Sequence, residues 1–258
     1  MTGYGNAAPA YYDLGWKAPL PLPRGAKKSP PPGRTGYNAE EPSYPDIIAW
    51  GEDHADGNLA LRLPPGVIGI DVDHYDGKQG GLTLKHAEQL WGDLPPTVRT
   101  TSRDDDQSGI RLYRVPPQTR LRTVLDFPDH HLGDVEIVQH FHRYAIAWPS
   151  IHPSGAQYRW LDHHNQPVDI PRPDDLPQLP QAWIDALTAT GTAVELSGQV
   201  DLQAVLDAMA PGPPSHRVTN RLDRATADLQ GTPASRHDTT MRHVLALLRY
   251  AEQGEPGV

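Results

Sequence analysis

Residues 66–81 read GVIGIDVDHYDGKQGG, an apolar run that ends on two aspartates one residue apart before a turn rich in glycine. Val67, Ile68, Ile70 and Val72 predict a buried strand, and residues i and i+2 of a strand point to the same face. Asp71 and Asp73 therefore present two carboxylates side by side, and their repulsion needs an answer. A hard divalent cation such as Mg2+ or Mn2+ supplies one, because it prefers carboxylate oxygen and bridges protein to phosphate groups. The plainer alternative is a pair of turn aspartates just beyond a strand end, which a bare Asp-x-Asp does not exclude.

Downstream, LTLKHAEQLWG places Leu84, Ala87, Leu90 and Trp91 at helical spacing, with Gly92 positioned to end the helix. The segments GIRLYRVP, GDVEIVQHFHRYAIAWPS and AQYRWLD are rich in β-branched and aromatic residues with alternating polarity, and predict antiparallel strands. The fold class expected is α+β. Residues 1–45 are rich in Pro, Gly and Tyr and predict an extended arm or tail, because proline interrupts helices. Through residue 34 this segment carries Lys17, Arg24, Lys27, Lys28 and Arg34 against the single acid Asp13, a composition suited to an anionic ligand. A short helix is expected around Trp183 and another over ELSGQVDLQAVLDAMA. The organisation expected is a first domain over 1–197, a linker over 198–214 and a helical region over 215–258, to which the chain end GEPGV adds no further element and which a longer parent protein would continue.

The chain of 258 residues has no cysteine, which removes disulfides, thiolate zinc sites and cysteine nucleophiles together. No apolar run approaches the about 18 residues of a membrane span, and the N-terminus lacks a secretory pattern, so a cytoplasmic protein is expected. A net charge of -9 argues against a nonspecific coat for nucleic acid and leaves room for a local basic groove.

Two further motifs bear on chemistry. In SGIRLYRVP, the Ser108–Gly109 turn with Arg111 and Tyr113 on one strand face can hold phosphate through backbone N–H groups, a hydroxyl and a guanidinium, or can be a surface hairpin. In DVEIVQ, Glu136 offers a third carboxylate, with Asp134 as its competitor two residues earlier; its plain alternative is an exposed strand glutamate.

The succession GWKAPLPLPRGAKKSPPPGRTG, NLALRLPPGVIGIDVD, SGIRLYRVP and VEIVQHFHRYAIAWPSIHPSGAQYRW, over residues 11 to about 162, resembles the bifunctional primase-polymerase (prim-pol) domains of phage and plasmid replication proteins, a branch of the archaeo-eukaryotic primase superfamily. The resemblance implies an RRM-like antiparallel sheet carrying the site, an N-terminal α/β unit, and a small helical region behind. It implies a metal-dependent nucleotidyltransferase, a DNA-directed primase and polymerase that makes and extends primers on single-stranded DNA. Asp71, Asp73 and Glu136 would be its catalytic residues, binding two Mg2+ or Mn2+ ions with no zinc. Ser108, Arg111, Tyr113, His142, Arg143 and Lys27 would bind NTP or dNTP, with Ser150 and His152 as weaker candidates. The family's intermediate motif reads Ser-x-His or Gly-x-His-x-Tyr; on the second pattern Arg111 stands at the histidine position, where it can grip phosphate and cannot act as a base. Implied partners are template and primer, nucleoside triphosphates and a helicase in the same or a partner chain, with no membrane, in a bacterial or phage-infected cytoplasm. Arg217, Arg221 and Arg224 form either a stripe toward phosphate or a solvated helix face. Two other readings compete. The His-hydrophobic-His of residues 140–142 fits the metal pair of rolling-circle (HUH) nicking endonucleases, and a degenerate primase fold can serve as an inactive nucleic-acid-binding module.

Overall fold

In the computed structural model, which describes residues 3–188, 211–231, 236–252 and 255–257, the 66–81 stretch is a central strand that runs into a loop and a helix. In chain order the elements are α1 (Tyr4–Asp13), β1 (Pro19–Leu22), α2 (Tyr44–Asp53), β2 (Asn58–Leu61), β3 (Val67–Val72), α3 (Gly80–Trp91), β4 (Arg99–Thr101), β5 (Gly109–Arg114), β6 (Val124–Phe127), β7 (Leu132–Val138), β8 (Ala145–Ala147), β9 (Arg159–Leu161) and α4 (Gln181–Leu187). Helices His216–Gly231 and Arg236–Glu252 follow. The chain divides into two units, Met1–Gly191 and Thr192–Val258. The expected boundary at residue 197, most of the expected linker and the helix expected over 195–210 lie outside the described residues.

The first unit is α+β. Six antiparallel strands run in the order β6-β7-β3-β5-β4-β9, and a second antiparallel sheet runs β1-β2-β8. Alternation along β3 assigns the two faces. Ile68, Ile70 and Val72 join Tyr113, Val135, Ile137 and the α3 residues Leu84 and Ala87 in one core, closed by Trp183 and Leu187 of α4. On the other face Leu112 and Val138 pack with Leu59 and Leu61 of β2, Ala145 and Ala147 of β8, and Tyr4, Ala7, Ala8 and Tyr11 of α1. Both faces are buried, which is why VIGIDV reads as a nearly continuous apolar run until the carboxylates begin.

The N-terminal segment departs from the expected arm. Residues 4–13 are helical with Pro9 inside, and 19–22 are a strand. An internal proline removes a hydrogen bond and costs about 3 kcal/mol. Burial offsets it: Tyr4, Ala7, Ala8 and Tyr11 are all within 2% of full burial. The Tyr11 hydroxyl accepts from Trp160 Nε1 at 2.8 Å and donates to the Trp148 carbonyl at 2.7 Å, tying α1 to β9 and to the segment after β8. Tyr11→Phe strands both partners, so thermal melting should show a loss of about 2 kcal/mol; an unchanged midpoint would mean that α1 is held by apolar contact alone. Helix α2 was not anticipated, although its signal was present. Ser43 and Asp46 form a capping box, with Ser43 N–H donating to Asp46 Oδ2 at 2.8 Å and Pro45 in the first turn.

The strand read across residues 133–150 is two strands in different sheets. β7 ends at Val138, Gln139 and His142 bond each other across a tight turn, and β8 begins at Ala145. Helix α3 ends as read, with Gly92 at a φ of 91°. In the second unit Arg217 lies over the Tyr250 ring at 4.1 Å and pairs with Glu255, so this member of the expected basic stripe is engaged within the helical unit.

Candidate active site

Where β3 ends, the apolar core on the face toward β2 and β8 gives way to a cleft of about 510 Å³. Asp71, at the last but one position of β3, sits opposite Glu136 of β7 in register, so the two side chains share a face. Asp73 follows on the same face, just beyond the strand. The three carboxylates predicted from sequence all line the cleft.

Their electrostatics show crowding. Burial, then the neighbouring charges of Asp73 and Glu136, raise the Asp71 pKa from 3.8 to about 7, against the opposing pull of Lys27 and Arg143. Asp73 and Glu136 carry local counter-charges, Lys78 Nζ on Asp73 Oδ2 and Arg143 Nη2 on Glu136 Oε1 at 2.9 Å. The donor set suits a hard divalent cation: all oxygen, on one face, with an Asp71 carboxyl that burial and like charge keep from ionising fully near neutrality. Among the described residues no three side chains are already arranged as a metal centre. Lys78 and Arg143, both half exposed, hold positions on two of the carboxylates.

Asp134 is not equivalent to Glu136. Its φ of 63° breaks the alternation of β7, and its Oδ2 accepts from Gln79 N–H at 2.9 Å at the start of α3. Its carbonyl accepts from Asp73 N–H at 3.0 Å. Asp134 thus fixes the turn that follows Asp73.

The nucleotide-binding residues expected from sequence divide. Lys27, Ser108 and Arg143 line the cleft. Arg111 and Tyr113 do not, and their assignment is corrected by register. Ile110 pairs with Asp71, so Arg111, one residue on, faces away toward α3. There Arg111 Nη1 donates to the Gln107 carbonyl at 2.7 Å, and Tyr113, 2% exposed, donates to the Pro95 carbonyl at 3.2 Å. Arg99 Nη1 also donates to the Ser108 carbonyl, so two guanidinium groups hold the 102–108 loop from behind. Ile110, whose backbone pairs with Asp71, is the β5 residue that lines the cleft beside Gly109. Gly109, at a φ of 128°, has no space for a Cβ, which would come within 2.7 Å of the Thr100 carbonyl. The Ser108 hydroxyl accepts from His74 N–H at 3.1 Å, clamping the segment after Asp73.

His142 is in the turn after β7 and does not line the cleft. Ser150 is structural, its hydroxyl accepting from Leu59 N–H at 2.7 Å and donating to the Leu59 carbonyl at 3.0 Å. His152 does reach the cleft. Burial and the charges of Lys27 and Arg103 hold its pKa below the usual imidazole value, and its Nδ1 accepts from Ser154 N–H at 3.1 Å, leaving Nε2 toward other partners. The nicking arrangement fails on geometry. His140 and His142 lie in a turn, and both His140 nitrogens are engaged, Nε2 by Arg62 at 2.8 Å and Nδ1 by the Leu63 carbonyl at 2.8 Å.

Lys28, read from sequence only as part of a basic stretch suited to an anion, lines the cleft, as do Tyr75, Lys78, Arg103 and Tyr158, which sequence reading missed. Arg103 stacks on Tyr75, its guanidinium carbon 3.4 Å from the ring centroid. Lys78 lay within the opening stretch and was legible by proximity. Arg103 was not, because only the fold of the 102–108 loop, closed by Asp105 Oδ1 accepting from Gln107 N–H at 2.9 Å, brings it over Tyr75.

Two antiparallel sheets around a cleft lined by carboxylates and cations define the class, an α+β domain arranged to handle anionic substrates. The model of the family described as bifunctional DNA primase/polymerase, N-terminal (Prim-Pol), matches residues 8–182, and the chain belongs to that family. Membership carries a primase/polymerase-type function in DNA replication. No individually curated protein matches the chain. Among the described residues no helix is long and apolar enough to cross a membrane.

Proposed function

We propose that the cleft catalyses template-directed nucleotidyl transfer, synthesising and extending primers on single-stranded DNA from nucleoside triphosphates. The observation that carries this reading is the in-register pairing of Asp71 with Glu136, with Asp73 on the same face, opposite a set of cations from three other segments.

Asp71, Asp73 and Glu136 would hold Mg2+ or Mn2+, which when bound neutralises triphosphate charge and acidifies the attacking 3'-hydroxyl. Lys27 and Lys28 from the arm, Arg103 from the 102–108 loop and Arg143 from the turn after β7 together supply charge for a triphosphate, and His152, kept neutral by burial and by the Lys27 and Arg103 charges, adds a hydrogen-bonding imidazole. Arg143 and Lys78 serve twice in this scheme, as counter-charges to the carboxylates in the free protein and as phosphate contacts when substrate enters. The apolar side chains of Ile110, Val138 and Ile146 form the floor and lower the local dielectric, which strengthens each of these contacts. A helicase in the same or a partner chain would expose the single strand.

The test is incubation with single-stranded template, labelled nucleotide and Mg2+ or Mn2+, with and without primer. Metal-dependent product is expected, and its absence under both conditions would sink the reading. Arg111 and Arg103 give a sharper comparison. Arg103→Ala should weaken nucleotide binding about 10-fold or more, through loss of a charge-assisted contact. Arg111→Gln should lower the melting midpoint while leaving nucleotide affinity within about 3-fold, because its hydrogen bond goes to the Gln107 carbonyl. The reverse pattern, measured by nucleotide titration, would return Arg111 to the phosphate.

A further inference from the structure

A second hollow, of about 350 Å³, lies against the start of β3, at the end of the strand away from Asp71. Two aromatic rings wall it: Tyr37 from the arm and Phe141 from the turn after β7, with centroids 5.9 Å apart and planes inclined at 55°. Arg120 closes a third side. Its guanidinium carbon lies 5.1 Å from the Tyr37 ring centroid, and the group donates to the Tyr37 hydroxyl. Tyr37 is nevertheless 63% exposed. An open aromatic ring braced by a second ring and a cation is the arrangement on which a flat π-system stacks. Gln118 and Thr119 on the rim offer hydrogen-bonding edges.

The hollow and the cleft are built by the same two segments. The arm sends Lys27 and Lys28 to the cleft and Tyr37 to the hollow; the turn after β7 sends Phe141 to the hollow and Arg143 and Tyr144 to the cleft. The Tyr144 hydroxyl donates to the Lys27 carbonyl at 2.8 Å, joining the two segments between the sites. From Phe141 to Arg143 the chain spans at most ~7 Å, on the order of one or two nucleotides of a strand. The hollow offers one cation, Arg120, which donates to the Tyr37 hydroxyl, and both nitrogens of His140 are taken. The cleft, with Lys27, Lys28, Arg103 and Arg143, is the stronger phosphate site, and a strand whose phosphates lie at Arg143, Lys27 and Lys28 brings a base to the hollow.

We infer that Tyr37, Phe141 and Arg120 form a stacking platform for an unpaired base of the single-stranded template, one or two nucleotides from the cleft. The inference rests on the polymerase reading of that cleft and adds a binding site to it. Stacking tolerates any base, which suits a template track, and it contributes to affinity without adding phosphate contacts.

The experiment is fluorescence anisotropy of a labelled oligothymidylate in chelator, where no transfer occurs, with the intact protein, Tyr37→Ala/Phe141→Ala and Tyr37→Trp. The double variant should bind about 10-fold or more weakly with an unchanged salt slope, Tyr37→Trp should bind as the intact protein does, and an oligonucleotide abasic throughout should not distinguish the three. Equal binding by the double variant overturns the platform, as does an equal loss on the abasic strand or a loss confined to free dNTP. If the double variant melts early, Tyr37→Ala alone, at a largely solvent-exposed ring, decides by the same criteria. The incorporation assay run in parallel separates the two claims: product from an intact protein whose platform variants bind DNA normally sinks the platform alone, and platform-dependent DNA binding without product sinks the polymerase reading alone.

Discussion

Asp71→Asn is expected to abolish metal-dependent nucleotide incorporation, by roughly 10³-fold or more, and at the same time to stabilise the metal-free protein above neutral pH. The first effect follows from removing one of three carboxylates that would hold the cation, a contribution of several kcal/mol to the transition state. The second follows from the raised pKa of about 7. Between the unfolded value near 3.8 and about 7 the folded protein binds more protons at Asp71 than the unfolded chain does. Stability conferred by this group therefore falls as pH rises through that window, and the penalty is constant above it. The shift sets a ceiling of about 4 kcal/mol at pH 8, and the side of Asp71 open to the cleft reduces it to roughly 1–2 kcal/mol. In chelator, the melting midpoint of Asp71→Asn should thus match the intact protein near pH 4 and exceed it by about 2–8 °C at pH 8. Added Mg2+ should raise the intact protein and not the variant. A variant that retains activity, or is less stable at pH 8, would show that Asp71 is a structural carboxylate.

Gly80→Ala is expected to damage both the fold and the site. A Cβ there would lie 2.5 Å from the Asp73 carbonyl oxygen, 2.6 Å from that of Asp134 and 2.9 Å from Asp73 N. All three are backbone atoms of the segments that aim Asp73, so no side chain can swing aside. Gly80 N–H donates to the Asp73 carbonyl at 2.9 Å, and Asp73 N–H to the Asp134 carbonyl at 3.0 Å, a chain of bonds that the methyl group would push apart. Overpacking of this kind costs about 1–3 kcal/mol, with a matching fall in denaturation midpoint. The displacement of Asp73 should cost a further ~10²-fold in incorporation at temperatures where the variant remains folded. Gly77→Ala is the control for local composition: it sits in the loop just before α3 at a φ of 84° with nothing within 4 Å of a Cβ, so backbone strain alone acts there. If the two variants behave alike, close backbone approach is not what Gly80 provides.

Much of the site was legible because strand periodicity is local. Asp71 and Asp73 share a face by the two-residue repeat, and Glu136 belongs with them because an apolar strand flanks it on both sides. The same logic applied to β5 went astray at Arg111. The side-chain period fixes which residues share a face and leaves open which face meets the site until register is known; Ile110, paired with Asp71, then becomes the residue toward the cleft. His140 and His142 were read as strand neighbours because nothing in QHFHRY announces a turn, the reversal being held by Gln139 and His142 bonding each other. Proline propensity weighs local cost alone and so underrates the N-terminal segment, whereas α1 is held by Tyr11, bonded to Trp160 of β9 and to the Trp148 carbonyl more than a hundred residues away, and by Tyr4, buried and bonded to the Pro19 carbonyl of β1.

Sequence alone determined the α+β class, the family resemblance and the three carboxylates, since each depends on short-range pattern and motif order. Sequence also named Lys27, Arg143 and His152 as candidates beside those carboxylates; tertiary structure alone added Arg103 and turned Arg111 away from them. These side chains come from separate segments whose approach is set by β-register and by the Arg99 and Arg111 hydrogen bonds behind the 102–108 loop. Long-range packing leaves no periodic trace in the chain, and so the approach of Arg103 and the face of Arg111 emerge only when the sheets are assembled.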